Sequence, residues 1–577
     1  MGEPRFEISE CDPAAVGRLR SELGVSGPLA QVLVRRGLED PARARAFIAA
    51  GEEHPYTAFA GIETAIATIR GHVKDGTRIT VHGDYDVDGV CSTAVLVRAL
   101  RALGADVDSY LPDREGDGYG LNMDTVRRLA ARGTRLLVTA DCAITAVEEV
   151  AAARELGLEV IVSDHHSARA DGALPDAPIV HPALCGYPCA ELCATAVAYK
   201  LAEGLLGRAP VEDLDLVALA TIADVVPLLG ENRTLVRRGL RALAGTVKPG
   251  LRALMAIARV DPARVDERSV AFGLAPRLNA AGRLYRADAA LELILTEDSM
   301  RAAQIAQELD RINHERRVTE RTISFEAEAQ IAALGDVDER HALVLAGENW
   351  HVGVIGIVAS RLAETHRRPV VLVSLEGDRG RGSGRGGREA FDLLAGLRAC
   401  EEHLSRYGGH RAAAGLELQR DRLAGFADAL EAYAAGALDL DDTAAVERVD
   451  AVVDGAELGM ALAEELQGLA PFGQGNPPVS LLIEDATFTD VRAMGEGKHS
   501  RFTVRSPAGR ARAVAFNTGG RLAVAEGEPA QATFALEVNE WNGVSEPRLV
   551  LRHARPLVGE QAATPDVQED EELVLFA

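Results

Sequence analysis

Acidic and imidazole side chains follow a short apolar segment in the first part of the chain. Residues Arg78–Gly89 have the sequence R-I-T-V-H-G-D-Y-D-V-D-G, in which Ile79–Val81 has the composition of a buried strand. Because side chains alternate along a strand, His82, Asp84 and Asp86 can face one side at its carboxyl end, where open α/β sheets bind ligands. Ionisable groups beside a buried strand are unfavourable unless they are paired. The segment therefore predicts a site for one or two divalent cations.

Three further apolar segments end in groups of the same kind. They are Leu136–Thr139 before Asp141, Val160–Ser163 before Asp164, His165 and His166, and Leu219–Ala223, strand or helix, before Asp224. In a parallel sheet the carboxyl ends of the strands share one edge, so these groups can converge there. Carboxylates with a few imidazoles suit Mn²⁺ or Mg²⁺ better than structural Zn²⁺, and so many ligands favour two ions that share a bridging carboxylate.

The alternative explanation is that each acidic residue only caps a helix or forms a turn. A single Asp at the end of a strand most often does so. An Asp-His-His sequence directly after an apolar segment is less typical of a cap. Because all the clusters occur within one predicted α/β unit, the metal site is favoured over the alternative.

The elements that would position these groups alternate between strands and helices. Strands are predicted at Ile79–Val81, Asp106–Tyr110, Leu136–Thr139 and Glu159–Ser163, and helices at Thr93–Leu103, Met123–Arg132 and Thr145–Leu156. Such alternation predicts a parallel sheet with helices on both faces. The later elements are a long helix over Glu297–Ala333, strands at Ala342–Ala346 and Val370–Leu375, a Gly/Arg-rich loop over Arg379–Arg388 and short alternating segments after residue 450. They predict a connecting helix, a second α/β lobe and a small β-barrel.

Composition excludes several classes of protein. The chain has 577 residues and a formal net charge of −25, which argues against nonspecific binding of nucleic acid. Any nucleic-acid site must then be a local basic feature or a metal site. No apolar run reaches the roughly 18 residues of a membrane-spanning helix, and the first residues contain no apolar signal segment. With only seven cysteines in the chain, we expect reduced thiols, a cytoplasmic location and no membrane partner.

The acidic clusters resemble those of a known family in type and order. H-G-D-Y-D-V-D-G, V-T-A-D-C, S-D-H-H and T-I-A-D-V-V-P-L are similar to the metal-binding motifs of the DHH phosphoesterases, and A-P-R-L-N-A-A-G-R, G-S-G-R, G-G-H-R-A-A-A-G and P-F-G-Q-G-N-P extend the resemblance over most of the chain. It implies two ions of Mn²⁺ or Mg²⁺, with ligands at Asp84, Asp86, Asp141, His165 and Asp224. By the same resemblance, Asp141 would bridge the ions, and His82 would be an additional ligand or would support one.

The resemblance also assigns residues to the substrate. His166 would face the scissile phosphate, and the other residues implied near the reacting group are Arg277, Asn279 and Arg283. The residues that match a pocket for a 5′ phosphate are Arg114, Ser383 and Arg385, and a turn formed by Gly408, Gly409 and His410 would contact backbone phosphates. Asp113 and Gly386 depart from the family pattern beside Arg114 and Arg385, in the part that would recognise the strand end.

Within that family the chain resembles the members that degrade single-stranded DNA from its 5′ end. This resemblance implies an exonuclease that hydrolyses phosphodiester bonds by a two-metal mechanism in DNA recombination and repair. The alternative is a DHH phosphodiesterase that acts on short oligoribonucleotides or dinucleotides. The added barrel argues against that alternative, because so small a substrate needs no oligonucleotide-binding module. The intact acidic clusters argue against a third possibility, a nucleic-acid-binding relative without catalysis.

The predicted architecture is α/β, with a parallel-sheet DHH catalytic lobe, a second α/β lobe joined by a long helix, and an added OB-type β-barrel. The boundaries are 1–50 for an N-terminal helical segment, 51–296 for the catalytic domain, 297–337 for the connecting helix, 338–440 for the DHH-associated substrate-binding domain, 450–557 for the barrel and 558–577 for an acidic tail. Glu572–Phe576 in that tail is similar to the bacterial sliding-clamp-binding motif. The expected partners are single-stranded DNA, a sliding clamp, a single-strand-binding protein and a helicase.

Overall fold

The chain divides into two units that interleave along the sequence. The first consists of Met1–His54, Val225–Arg238 and Ala444–Ala577, and the second of Pro55–Asp224 and Gly239–Thr443. The computed structural model describes residues 5–113, 116–118, 120–335, 337–388, 391–439, 446–541 and 543–557.

The amino-terminal part of the first unit is helical after one short strand. Its elements are β1 (Arg5–Ile8), α1 (Pro13–Leu23), α2 (Gly27–Arg35) and α3 (Pro41–Ala49). Asp12, Ser26 and Asp40 cap these helices through their side-chain oxygens, and each helix has a proline in its first turn. These are the residue types that satisfy the free N–H groups at the start of a helix, so the local sequence fixes where each helix begins.

A five-stranded parallel sheet forms the first lobe of the second unit, in the order β3-β2-β4-β5-β6. The strands are β2 (Ile79–His82), β3 (Val107–Tyr110), β4 (Leu136–Thr139), β5 (Glu159–Ser163) and β6 (Ile179–Val180). The helices are α4 (Ile62–Asp75), α5 (Val87–Ala102), α6 (Met123–Ala131), α7 (Val147–Glu155), α8 (Ala194–Leu206) and α9 (Leu214–Ala223). Strands β2 and β4 are buried along their whole length, as central strands covered on both faces must be.

Helices follow this sheet and lead to the second lobe. They are α10 (Gly230–Ala244), α11 (Pro249–Ala258), α12 (Ala275–Leu284), α13 (Asp288–Leu295) and α14 (Ser299–Ala333). A π-helical turn at Ser269–Leu274 precedes α12. Helix α14 has 35 residues and is the connecting helix that the sequence predicts. Its buried positions include Ile305, Leu309 and Ile312, whose spacing places them on one face.

The second lobe contains a mixed sheet in the order β10-β11-β9-β8-β7. Its elements are β7 (Leu343–Glu348), α15 (Val352–His366), β8 (Val370–Glu376), β9 (Arg379–Arg385), α16 (Leu393–Ala399), β10 (Arg406–Gly409), β11 (Ala413–Gln419) and α17 (Leu423–Ala437). The prediction of a loop over Arg379–Arg388 is wrong, because β9 is an inner strand. A Cβ at Gly380 would lie 2.8 Å from Val373, and one at Gly382 would lie 2.8 Å from Leu416. The glycines that suggested a loop are instead required by close packing.

The carboxyl-terminal part of the first unit is a closed β-barrel. Its elements are β12 (Val446–Val449), β13 (Ala451–Val452), α18 (Met460–Gln467), β14 (Leu481–Met494), β15 (His499–Ser506), β16 (Gly509–Ala515), β17 (Pro529–Trp541) and β18 (Val544–Pro556). The sheet runs β13-β14-β15-β16-β18-β17, and pairing of β14 with β17 closes it. The buried rings of Phe488, Phe502 and Phe534 pack together inside it.

The fold class predicted from the sequence is confirmed: the parallel-sheet lobe, the long helix, the second α/β lobe and the barrel are all present. Among the described residues, no helix combines the length and apolar character needed to cross a lipid bilayer.

Candidate metal centre

The turn after β2 brings the first acidic residues to the carboxyl edge of the sheet. Asp86 caps α5, since its Oδ1 accepts hydrogen bonds from the backbone N–H groups of Asp88 at 2.9 Å and Gly89 at 3.1 Å. The turn can fold this tightly against α5 only because of its glycines. A Cβ at Gly83 would lie 2.0 Å from Thr93 Oγ1, and one at Gly89 would lie 2.5 Å from the backbone nitrogen of Asp84.

Residues from three other segments meet at the same edge. Asp141 follows β4 in the left-handed conformation, with φ of 69°, and is buried. His165 follows β5, and Asp224 follows α9, so the segment that could have been strand or helix is a helix. His165 Nε2 lies 3.2 Å from Asp141 Oδ1 and 3.7 Å from Asp224 Oδ2. The predicted convergence therefore occurs.

Three overlapping groups of side chains could each hold a cation. They are Asp84, Asp86 and Asp141; Asp141, His165 and His166; and Asp88, His165 and Asp224, and within each group the ligand atoms lie within 4.8 Å of one another. Asp141 belongs to two of the groups, as does His165. Two adjacent cations can share one ligand. A carboxylate such as that of Asp141 is suited to this shared position.

The cluster holds more negative charge than its surroundings compensate. Burial, and then the charges of Asp88, Asp86 and Asp84, raise the pKa of Asp141 well above its usual value. Burial, and then the charges of Asp88 and Asp86, raise the pKa of Asp224 to about 8. Carboxylates that oppose one another's ionisation either take up protons or are neutralised by added cations, and the second state is the one that binds a metal.

Buried polar atoms of the cluster also indicate a cation site. His82 Nε2, His165 Nε2 and Asp141 Oδ1 are buried and make no hydrogen bond within the described residues. Burial lowers the pKa of His82 to about 4, and burial also lowers the pKa of His165, so both rings favour the neutral form that binds metals. The donor set thus fits a hard divalent cation, as carboxylates with few imidazoles do.

Asp164 holds the neighbouring histidine rather than joining the group of ligands. Its Oδ1 accepts hydrogen bonds from the backbone N–H of His165 at 2.7 Å and from Nδ1 of His166 at 2.8 Å, and its Oδ2 accepts one from the N–H of Ile144 at 2.9 Å. Burial alone would lower the pKa of His166, but the hydrogen bond and charge of Asp164 raise it to about 9. His166 is therefore a cation at neutral pH whose ring remains one-third exposed, with 33% accessible side chain.

Helix α12 carries the next predicted residues and packs on the turn between β2 and α5. Asn279 Oδ1 accepts a hydrogen bond at 3.0 Å from the backbone N–H of Val87, the first residue of α5. Arg277 instead pairs through Nε with Asp310 of α14 at 2.8 Å, and Arg283 donates to the carbonyl of Gly353 in α15 at 3.3 Å. Asn279 thus contacts the start of α5 directly, whereas these contacts of the two arginines connect α12 to the following helices.

The second lobe holds the residues predicted to bind phosphate. Arg385 at the end of β9 donates to Ser360 Oγ and to Ser383 Oγ, each at 3.0 Å. Gly356 of α15 lies beneath them, since a Cβ there would be 3.0 Å from both Arg385 and Ser383.

The turn predicted at Gly408, Gly409 and His410 is only partly present, because Gly408 and Gly409 end strand β10 of the same sheet and only His410 lies beyond it. Gly408 pairs with Gly415 of β11, which in turn pairs with Ser383 of β9. Gly409 has φ of 140°, and the backbone N–H of the exposed His410 donates to the carbonyl of Ala413 at 2.8 Å. Ser383 and Gly408 therefore occupy the same row of neighbouring strands.

Comparison with known proteins identifies the family. Models of the DHH family N-terminal domain, the DHHA1 domain and the RecJ OB domain match residues 78–221, 339–436 and 449–553. The single-stranded-DNA-specific exonuclease RecJ of Bacillus subtilis is 37% identical over 559 residues, which cover 95% of this chain and 70% of that protein. The chain belongs to the RecJ family.

Solved RecJ structures share the fold. The crystal structure of RecJ from Thermus thermophilus in complex with Mn²⁺ matches with a TM-score of 0.84 and 33% identity, and the match covers 96% of this chain and 80% of that one. The Mg²⁺ complex of RecJ from the same organism matches with a TM-score of 0.77 and 31% identity, covering 96% of this chain and 79% of that one.

Two aspartates in the RecJ-family motifs were counted among the acidic clusters of the sequence but received no individual role there. Asp88 continues the alternation of Asp84 and Asp86, and Asp164 opens the Asp-His-His sequence, so both were visible as members of a motif. Their roles depend on hydrogen bonds that spacing does not reveal, such as the one between Asp88 and Ala194, 106 residues away. The predicted residue Arg114 and the predicted clamp motif Glu572–Phe576 lie outside the described residues.

Proposed function

We propose that this RecJ-family chain is a single-stranded-DNA-specific exonuclease that hydrolyses phosphodiester bonds from the 5′ end with Mn²⁺ or Mg²⁺. The observation that carries the proposal is the cluster in which Asp141, His165 and Asp224 converge and in which burial and neighbouring aspartates raise the pKa of Asp141 and of Asp224. Similarity to RecJ exonucleases along nearly the whole chain supports the choice of substrate.

The residues that would hold two cations are Asp84, Asp86, Asp141, His165 and Asp224, with His82 as a further ligand or a support behind them. Asp141 would be shared between the ions because it belongs to two of the convergent groups. Bound divalent cations would supply an activated water and would stabilise negative charge on the phosphate.

His166 would act on the scissile phosphate from beside this cluster. Asp164 fixes the orientation of its ring through the hydrogen bond to Nδ1 and keeps it protonated. A cationic imidazole with an accessible edge can donate to a phosphate oxygen whose charge increases as the bond to the leaving group breaks. Asn279 would hold the start of α5 in register with this site, through its bond to Val87.

The second lobe would bind the 5′ phosphate, with Arg385 and Ser383 as donors and Gly408, Gly409 and His410 along the following backbone. Arg385 is held ready by Ser360 and Ser383, so little side-chain freedom would be lost on binding. Arg114 would complete the pocket. Helix α12 spans from the metal-binding turn, through Asn279, to α15, through Arg283. A rigid connection of this kind would set the distance between the bound end and the cleaved bond.

Several finer assignments belong to the same proposal. The barrel would bind the single strand, and the tail would contact a sliding clamp, with a single-strand-binding protein and a helicase as further partners in cytoplasmic DNA recombination and repair. The domain boundaries would be those predicted from the sequence. The competing function, cleavage of dinucleotides or short oligoribonucleotides, is disfavoured because the chain contains a complete barrel in addition to the DHH lobes.

One assay separates these functions. The full chain is incubated with end-labelled single-stranded DNA, duplex DNA and dinucleotides, each with Mn²⁺, with Mg²⁺ and with EDTA. We expect metal-dependent loss of nucleotides from the 5′ end of the single strand only. Preference for dinucleotides would establish the competing function, and cleavage that persists in EDTA would contradict the metal site.

A further inference from the structure

Helix α14 carries a row of exposed side chains on the side opposite its buried face. Arg317, Arg321 and Phe325 follow one another at every fourth residue, which places them along one face of the helix. All three are exposed, and Phe325 has 75% of its surface accessible. The packing of this segment is provided instead by residues such as Ile323 and Ala327, which belong to the core of the second lobe. The three exposed residues, which we call the α14 row, are therefore not part of that core.

Two carboxylates near the α14 row bond to residues outside it. Glu315 pairs with Arg311, and its other oxygen accepts a hydrogen bond from the hydroxyl of Tyr285 at 3.2 Å. Glu326 accepts a hydrogen bond from the indole N–H of Trp350 at 2.6 Å. Within the described residues, neither carboxylate pairs with an arginine of the row.

A third carboxylate, that of Glu320, is shared by two arginines outside the row. It is buried, and its oxygens pair with Arg316 of the same helix at 2.6 Å and with Arg361 of α15 at 2.5 Å. Burial lowers the pKa of Arg316; the charge of Glu320 opposes this shift, and the charges of Arg317 and Arg361 add to it. One buried carboxylate thus serves two arginines, and positive charge is in excess around it.

Arg317 and Arg321 therefore have no acidic partner in the part of the chain that the structure describes. The next carboxylate along α14, that of Glu328, lies seven residues beyond Arg321, which is outside the range of the i,i+4 pairs that helices form. In a chain with a net charge of −25, two unpaired guanidinium groups in one row are a local basic feature. Such a feature is what a nucleic-acid site on an acidic protein requires.

Phe325 adds an aromatic surface to these charges. An exposed ring gains little from burial, and phenylalanine favours a helix less than leucine, lysine or glutamate does, so neither packing nor helix propensity accounts for this residue. Bases of single-stranded nucleic acid stack on exposed aromatic rings, and phosphates pair with guanidinium groups. A row that offers both groups fits a single strand, whereas an acidic peptide segment would need only the arginines.

We propose that the α14 row binds single-stranded DNA, with phosphates on Arg317 and Arg321 and a base stacked on Phe325. The row contains none of the residues assigned above to the metal centre or to the 5′ phosphate, so it is an additional contact for the strand. The identity of the strand as the substrate rests on the proposed function. Loss of the row should weaken binding of the strand without involving the cations.

The test measures binding of labelled oligothymidylate to the full chain by fluorescence anisotropy over a range of salt concentrations. EDTA is present so that metal-dependent cleavage does not shorten the strand. In Arg317→Ala, Arg321→Ala, we expect the Kd to rise and the slope of log K against log salt to become shallower by about 1.4, the value for two phosphates of a single strand.

Substitutions of Phe325 test the stacked base separately. Phe325→Leu keeps an apolar side chain but removes the ring, so the Kd should rise at least about fivefold with no change in the salt slope. Phe325→Tyr keeps a ring and should bind the strand as the wild type does.

The matched control is the double variant Arg301→Ala, Arg420→Ala, which removes the same charge from the same unit of the chain. Arg301 pairs with Glu292, and Arg420 pairs with Glu348, so neither guanidinium is free for a phosphate. The control should leave the salt slope unchanged. Melting temperatures close to that of the wild type in all the variants would exclude unfolding as the cause of weaker binding.

Three results would each overturn the inference. They are a salt slope in Arg317→Ala, Arg321→Ala equal to that of the control, a wild-type Kd in Phe325→Leu, and loss of polyglutamate binding in the arginine variant while its Kd for the strand stays unchanged. The last result would assign the row to an acidic protein segment. A wild-type chain that binds the strand through the row but does not cleave it with Mn²⁺ would refute the proposed nuclease and support the row as a binding surface.

Discussion

At the scale of single residues, the aspartates of the candidate metal centre differ in whether the protein itself compensates their charge. Asp164 and Asp88 are surrounded by hydrogen-bond donors, and Asp86 caps its own helix. Asp141 is buried among like charges, and its pKa is raised accordingly. The apoprotein therefore contains an unfavourable interaction that a cation would relieve, which is a common cost of keeping a binding site preorganised.

Asp141→Asn should therefore stabilise the apoprotein while it removes function. Loss of one buried charge relieves repulsion by the neighbouring aspartates, so we expect the melting temperature in EDTA to rise. The increase in melting temperature that Mn²⁺ gives to the wild type should disappear, and cleavage should fall by at least about 10²–10³-fold. Calorimetry in EDTA and in Mn²⁺, together with the cleavage assay, measures these effects. An apoprotein that becomes less stable would contradict the charge argument.

Val225, directly after Asp224, has a strained backbone conformation. It is β-branched, has φ of 59° and is 65% exposed, so little packing offsets its strain. Val225→Asn should raise the free energy of unfolding by about 1 kcal/mol, because asparagine tolerates the left-handed conformation. Asn349 has φ of 57° and is exposed, so Asn349→Val should lower the free energy by a similar amount. Urea unfolding measures both changes, and equal effects of the same sign would exclude backbone strain as the cause.

At the scale of elements, the sequence correctly predicted the strands and helices whose structure is decided by their local pattern of residues. Strand β4 has the predicted bounds Leu136–Thr139, because apolar residues bounded by turn signals leave one interpretation. Strand β9 was missed because its glycines are explained only by the side chains of β8 and β11, which pack against them. The convergence of acidic residues followed from the parallel sheet, whereas the anchoring of α8 by Asp88 depends on partners distant in sequence.

Helix α12 is held against the turn between β2 and α5 by close contact at Gly282. A Cβ there would lie 2.3 Å from the carbonyl oxygen of Tyr85. Gly282→Ala should therefore displace α12, lower the free energy of unfolding by about 1–3 kcal/mol and reduce cleavage. Gly71 in α4 has no atom within 4 Å of the corresponding position, so Gly71→Ala should stabilise the protein by up to about 1 kcal/mol through helix propensity. If both variants changed the free energy of unfolding in the same direction and by the same amount, the close contact at Gly282 would not contribute to stability.

Asp117 connects the end of β3 to α6. Its Oδ2 accepts hydrogen bonds from the hydroxyl of Tyr110 at 2.6 Å and the N–H of Asp113 at 3.0 Å, and its Oδ1 pairs with Arg128 at 2.5 Å. Burial raises the pKa of Asp117, but these hydrogen bonds and the charge of Arg128 outweigh it and lower the pKa from 3.8 to about 2. The ionised carboxylate thus favours the folded state above pH 4, roughly its unfolded pKa, and this contribution is lost as the pH falls through about 2.

Asp117→Asn should lower the free energy of unfolding by about 2 kcal/mol at pH 7, and the deficit should shrink to about half that value at pH 3. Urea unfolding of the wild type and the variant at both pH values measures it. Asp124→Asn is the control, because Asp124 pairs with Arg127 in an exposed position, with 84% of its side chain accessible. Exposed pairs contribute at most about 1 kcal/mol, so the control should change little. A deficit that is independent of pH would show that the charge of Asp117 is not the cause.

At the scale of the whole molecule, a net charge of −25 opposes the approach of nucleic acid, so favourable contacts must be local. The outer face of the barrel provides such a region on β14, β15 and β16. Arg492 pairs across strands with Arg501, and Arg505 pairs with Arg510. Like charges directly opposite one another destabilise a sheet, so their presence is better explained by an anionic ligand than by stability.

The double variant Arg501→Ala, Arg510→Ala therefore tests whether the arginines on this face of the barrel bind the phosphates of single-stranded DNA. Binding of single-stranded DNA is measured by fluorescence anisotropy over a range of salt concentrations, in an Asp141→Asn background so that the strand remains intact. For each phosphate that the variant no longer binds, the slope of log K against log salt should become shallower by about 0.7, because fewer counterions are released. Arg448→Ala, on β12 outside the closed barrel and 88% exposed, should leave the slope unchanged although it removes a positive charge. If all the variants shifted affinity alike with no change in slope, overall charge rather than the barrel face would govern binding.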